Sequence, residues 1–187
     1  KSKLNKETAM QTYIVFLKGI NVSGKNIIKM ADLKVVLTNA AFTEVQTYIQ
    51  SGNIVVKTTR TREETSIKIH ELIKEHFQLN IAVFVVTPDQ LNAALKYNPY
   101  PEDAPGNKVF ITFLDQEIEQ NAVVLLKKEV IGTESFEIIH NILYYYLPEG
   151  MSNSKLSNPF FEKKLKVVAT GRNLNTVRKM LSLVTSA

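Results

Sequence analysis

The stretch Lys18-Gly19-Ile20-Asn21-Val22-Ser23-Gly24-Lys25-Asn26 sets two glycines five positions apart and puts a lysine directly after the second. Between a buried strand and a helix, that spacing is the arrangement of a phosphate-binding loop, whose backbone amides and lysine cradle phosphate oxygens. One position departs from it: Asn26 stands where a serine or threonine would hold magnesium, and an amide is a poor ligand in that compact octahedral site. The helical pattern also begins late, near Met30, which takes Lys25 away from the helix N-terminus where free amides gather. Asp115, closing the apolar run 109–114, and Asp32 are the acids that a magnesium-dependent phosphoryl or nucleotidyl transfer would need. The plainer alternative is a glycine-punctuated loop joining a strand to a helix.

Three other groupings carry chemistry in their residue types. Gln46-Thr47-Tyr48-Ile49-Gln50-Ser51-Gly52-Asn53 ends in a glycine-asparagine tip that any hairpin needs, yet it is dense in hydrogen-bonding side chains. In Thr170-Gly171-Arg172-Asn173, Gly171 reads as the end of a strand. Asn173 or Asn175 can cap the helix that follows, with Arg172 beside amides and a dipole that favour an anion. Tyr144-Tyr145-Tyr146 lies on a strand pattern, and alternation puts Tyr144 and Tyr146 on one face, where Phe110 or Thr112 of a neighbouring strand could join them. Those rings could stack bases, as in RNA-recognition modules, although the basic-glycine start of that signature is missing; sealing the two halves of the chain together is the favoured use. His70 and His76 are six apart on one helix and His140 is remote, so no metal site is expected. Glu63, Glu64, Glu71 and Glu75 alternate with basic residues as a solvated face, and no histidine is placed beside Ser23 or Ser51 for a hydrolytic triad.

The elements that must position these residues can be read along the chain. With 187 residues, 44% hydrophobic and 22% charged, the chain is expected to bury a core as one full domain or two small ones. The absence of cysteine excludes disulfides, thiolate metal sites and thiol nucleophiles. The net charge is +5, but residues 1–9 hold three lysines and one glutamate. They read as a polar tail or expression remnant ahead of Met10, so the charge does not describe a broadly basic nucleic-acid surface. No apolar run approaches the length of a membrane span. Residues 13–17 form a short β-branched and aromatic strand. Met30, Leu33, Val36, Leu37, Ala40 and Ala41 recur at helical spacing. Residues 45–50 and 54–59 predict a hairpin, 61–77 a second helix, and 81–86 a strand. A short helix from Pro88 and a proline-rich linker, residues 88–107, follow. The same order then returns: strand 109–114, helix 118–130, strands 135–140 and 142–147, helix 156–165, strand 167–170, and a last helix over about 173–184. The prediction is α+β: two ferredoxin-like β-α-β-β-α-β units by duplication, with antiparallel sheets, over residues 10–87 and 108–187. The hairpins are too tight for the crossovers of a parallel sheet.

In such a unit the end of the first strand, the start of the first helix and the turn between the second and third strands share one edge. Lys18, Asn21, Lys25, Asn26, Gln50, Ser51 and Asn53 are therefore expected to form one polar, cationic rim.

At these stretches the chain resembles the bacterial domain of unknown function 1697 family. Its members typically read leucine-arginine-glycine-isoleucine-asparagine-valine-glycine-glycine into the first helix and threonine-tyrosine-isoleucine-glutamine-serine-glycine-asparagine at the hairpin. Gly19-Ile20-Asn21-Val22, Gly24, residues 47–53, Met30 and Leu33 match. Thr170, Arg172, Asn173 and Thr176 are similar to the family's closing threonine-x-arginine-asparagine motif. The resemblance spans nearly all of residues 10–183. Lys18 replaces the usual arginine and Ser23 the usual glycine, and a lysine lacks the forked, bidentate grip of an arginine. The resemblance implies the fold and the motif positions, and no reaction.

The expectation is a bacterial, cytoplasmic protein without cofactor or metal, whose rim binds an anion: a nucleotide, a phosphorylated metabolite or a short nucleic acid. Arg172 would join if the halves fold together, and no membrane partner is expected. A magnesium-dependent transferase using the same rim and a protein-interaction module are the other classes. Neither a reaction nor an oligomeric state is specified.

Overall fold

The computed structural model describes residues 9–130 and 132–185, apart from the side chain of Asn153. Of the expected tail, residues 1–8 lie outside the described residues. The chain divides after Pro88 into two compact units.

The first unit runs β1 (Gln11–Leu17), α1 (Met30–Asn39), β2 (Thr43–Tyr48), β3 (Asn53–Thr58), α2 (Arg62–Phe77) and β4 (Val83–Val86). Its sheet has the order β2-β3-β1-β4, with every pair antiparallel, as a ferredoxin-like unit requires. Central β1 is apolar along most of its length because both of its faces are buried. Tyr13, Val15 and Leu17 alternate onto the helical side and meet Ile54 and Val56 of β3 with the apolar stripes of α1 (Met30, Leu33, Leu37) and α2 (Ile69, Leu72, Ile73). Helix α2 starts where its sequence says it should. Glu64 N–H donates to Thr61 Oγ1 at 3.2 Å and Thr61 N–H to Glu64 Oε2 at 2.8 Å, a reciprocal capping box.

The second unit repeats the plan. Helix α3 (Pro88–Lys96) stands at the division, and then come β5 (Val109–Leu114), α4 (Gln120–Lys127), β6 (Ser135–Ile139), β7 (Ile142–Tyr146), α5 (Asn158–Leu165), β8 (Ala169–Asn173) and α6 (Leu174–Thr185). The sheet order β6-β7-β5-β8 is that of the first unit, again antiparallel throughout. One core gathers Leu114, Phe136, Leu143, Tyr145, Phe161 and Ala169 between the sheet and its helices.

Three details depart from the sequence reading. Both strands of the first hairpin start and end earlier than the periodicity suggests, and the connection is Ile49 to Gly52, with Asn53 already paired in β3. Strand β8 extends to Asn173, so Gly171 lies inside the strand rather than ending it. A Cβ there would come 2.7 Å from Thr112 Oγ1 and 2.8 Å from Asn158 Oδ1, and the backbones of β8 and α5 can approach only because none is present. The register of β5 on β7 pairs Phe110 with Tyr145 and Ile111 with Tyr144. Phe110 therefore stacks on Tyr145, with ring centroids 4.9 Å apart, and neither it nor Thr112 joins Tyr144 and Tyr146.

Candidate functional site

The twelve-odd residues between β1 and α1 do not wander. Asn21 N–H donates to Asn26 O at 3.1 Å and Lys25 N–H to Val22 O at 2.9 Å, with Val22 and Lys25 forming an antiparallel bridge. The two residues at the tip, Ser23 and Gly24, have φ of +52° and +71°. Two left-handed central residues closed by that bond make a primed two-residue turn, so the segment is a miniature β-hairpin. The amides of Asn21 and Lys25 are thereby bonded to the hairpin's own carbonyls and are not offered to an anion. Helix α1 begins only at Met30, with Lys29 at its cap, five residues beyond Lys25. The likeness to a phosphate-binding loop thus stops at the sequence spacing, because the second glycine serves a turn and no helix N-terminus stands behind Lys25.

One side chain joins this small hairpin to the larger one. The Asn21 amide donates to Ile28 O at 2.8 Å and to Gln50 O at 2.7 Å, while its Oδ1 accepts from Ile28 N–H at 2.8 Å. All of its hydrogen-bonding capacity except one lone pair is thereby spent inside the protein. Leu17 N–H also donates to Gly52 O at 2.9 Å, bringing the end of β1 against the turn between β2 and β3. The expected convergence of the two glycine-containing segments at one edge is present.

The rim residues separate into two groups. Asn53 is fully buried and donates both amide hydrogens, to Tyr48 O at 3.1 Å and Ser51 Oγ at 2.9 Å. With Asn21 it forms the framework. Asn26 Nδ2 donates to Gly19 O at 2.9 Å, yet the residue is exposed. Lys25 and Gln50 are exposed, and Lys18 and Ser51 are partly so. No Asp or Glu occurs in residues 17–31 or 45–57. The loop after β1 is locally cationic through Lys18, Lys25 and Lys29, whereas the turn 49–52 carries no charge and Lys57, near the end of β3, is paired with Glu44 at 2.6 Å.

Arg172 belongs to the second unit and not to its helix start. It pairs with Ile111 in β8, is 9% exposed, and donates from Nη1 to Thr170 Oγ1 and Gly171 O, each at 2.8 Å. Burial lowers its guanidinium to about 10, since a cation loses hydration there. The cap of α6 is Asn173, whose Oδ1 accepts from Thr176 N–H at 2.9 Å. Asp115, the acid after β5, is engaged in structure: its Oδ1 accepts from Val168 N–H at 3.0 Å.

The tyrosine run is built in rather than offered for stacking. The Tyr144 hydroxyl donates to Ala94 O of α3 at 2.6 Å, and the Tyr146 ring lies 5.4 Å from that of Tyr100. Burial pushes Tyr100, Tyr144 and Tyr145 up to about 12. Among the described residues no group of three or more His, Asp or Glu side chains is arranged to hold a metal ion. No described helix is long and apolar enough to cross a membrane.

One solved structure shares the fold, and the comparisons with known proteins add no activity. No curated protein matches the chain. Among solved structures it is similar to a conserved bacterial protein, SP0830, from Streptococcus pneumoniae, at 20% identity and a TM-score of 0.70 over 94% of this chain and 99% of that one. An unknown protein from Galdieria sulphuraria aligns over 95% of this chain and 91% of that one at 9% identity, with a TM-score of only 0.26. The family model described as a protein of unknown function, DUF1697, matches residues 10–144, a span that includes the whole first unit and both glycine-bearing hairpins. The chain belongs to the DUF1697 family.

Proposed function

We propose that the edge of the first unit where the two hairpins meet binds an anionic ligand. The observation that carries this reading is the Asn21 amide bridge to Gln50 O, which fixes exposed Lys25 and Gln50 on neighbouring loops that contain no carboxylate. Lys25 and Lys18 supply the charge, and Asn26, Gln50 and Ser51 supply hydrogen-bonding groups around it. Asn21 and Asn53 act from behind, holding the loops. Arg172 is assigned to its own strand. Rigid loops lower the ordering cost that a ligand must overcome.

The test is a thermal-shift series against nucleotides and phosphorylated metabolites, repeated on Lys25→Ala. A ligand present at a hundred times its Kd should stabilise the protein by about 2.7 kcal/mol. Loss of one charged contact should weaken binding about tenfold, equivalent to about 1.4 kcal/mol. Ligands that stabilise the wild type and Lys25→Ala equally would remove Lys25 from the site.

A further inference from the structure

Aliphatic side chains face water at the same edge. Val22 is 56% exposed, Ile27 60% and Ile49 51%, although the unit has a core that buries other Val and Ile residues completely. Met10, Val35 and Ile67 of the same unit are as exposed, but Val22, Ile27 and Ile49 share a position. Each is, or directly adjoins in the chain, one of the three residues joined through the Asn21 amide, namely Asn21, Ile28 and Gln50. Ile49 is also held at φ +50°, a left-handed conformation that a β-branched residue adopts only under strain. The turn accepts that strain in order to present an isoleucine where asparagine or glycine would sit at ease.

A bare phosphate has no use for an apolar platform beside its cations. We infer that the ligand of this edge is a nucleotide. Its phosphates lie at Lys25 and Lys18, its base rests on the aliphatic surface of Val22, Ile27 and Ile49, and the Gln50 carboxamide, with a donor and an acceptor side by side, faces the edge of the base. This rests on the anion-binding reading above and names the class of molecule bound.

The experiment is isothermal titration of the full chain with ATP and, separately, with inorganic tripolyphosphate, which carries at least as much charge but no base. ATP should bind at least about tenfold more tightly than tripolyphosphate. Ile27→Ser and Ile49→Asn should each weaken ATP about fivefold and leave tripolyphosphate unchanged, since an exposed side chain's apolar contact is removed and no charge is altered. Lys25→Ala should weaken both. If tripolyphosphate binds as tightly as ATP and the two isoleucine variants change nothing, the nucleotide assignment fails while the anion site survives. If neither compound binds, both fail. Ile49→Asn relieves the turn, so lost binding in that variant cannot be blamed on a failure to fold, and circular dichroism of Ile27→Ser provides the same control.

Discussion

Thr65 sits in the first turn of α2, fully buried, and its hydroxyl has no hydrogen-bond partner. A buried, unsatisfied hydroxyl carries a desolvation penalty that a methyl group of the same shape does not. Thr65→Val should therefore raise the stability of the first unit by about 1 kcal/mol, measured as a higher urea midpoint at constant slope. A lower midpoint would mean that the hydroxyl has found a partner in solution. Thr65 contrasts with Asn21 and Asn53, whose amides are satisfied by the carbonyls of Gln50, on the other hairpin, and of Tyr48, within its own. The rim's membership was legible from residue type and topology, but the division into supporting asparagines and outward-facing Lys25 and Gln50 was not. That division depends on which way each amide turns, and spacing does not encode it.

At the scale of elements, the two hairpins at the edge rest on glycines for different reasons. Gly52 has φ +78°, and a Cβ on it would lie 2.7 Å from Leu17 Cβ, a backbone-anchored atom that cannot move aside. Gly24 has φ +71° but open space around it. Gly52→Ala should thus combine left-handed strain with a clash and cost about 3 kcal/mol or more, whereas Gly24→Ala meets the strain alone, about 1 kcal/mol. Chemical denaturation of both variants checks the difference, and equal losses would show that the Leu17 approach is relaxed in solution. Most elements announce themselves through period and punctuation: the β-branched run of β1, the helical recurrence of Met30, Leu33 and Leu37, the capping residues Thr61 and Asn173. The exceptions share a cause. The hairpin at 21–26 was hidden because four of its six residues lack strand propensity and its turn residues, Ser23 and Gly24, equally suit a phosphate loop. The end of β8 was hidden because a glycine normally punctuates, and the close approach of Thr112 of β5 and Asn158 of α5 explains one inside a strand.

At the scale of the whole molecule, the two units share a topology but not an interior chemistry, and alkaline pH should separate them. The second unit buries Tyr144 and Tyr145 and half-buries Tyr100, and each is raised from the ordinary 10 to about 12. Below pH 10 these phenols are neutral in folded and unfolded chains alike, and the stability they contribute is fully present. Between pH 10 and 12 the unfolded chain ionises ahead of the folded one, so stability falls by about 1 kcal/mol per pH unit for each tyrosine. Three such groups lower stability by about 3 kcal/mol per pH unit, which exhausts a typical stability of about 5 kcal/mol within the window. In the first unit, Tyr13 is raised in the same direction by burial, countered by Arg62. Amide exchange followed by mass spectrometry should then show the second unit losing protection between pH 10 and 12 while the first retains it, with phenolate absorbance rising in step. Tyr144→Phe sharpens the test because its two effects oppose. It removes one titrating group, flattening the alkaline slope, and it removes the 2.6 Å bond to Ala94 O, lowering stability at neutral pH by about 1–2 kcal/mol. A variant with the same alkaline slope as the wild type would show that Tyr144 already ionises freely in the folded protein, and that burial beneath α3 does not govern its proton.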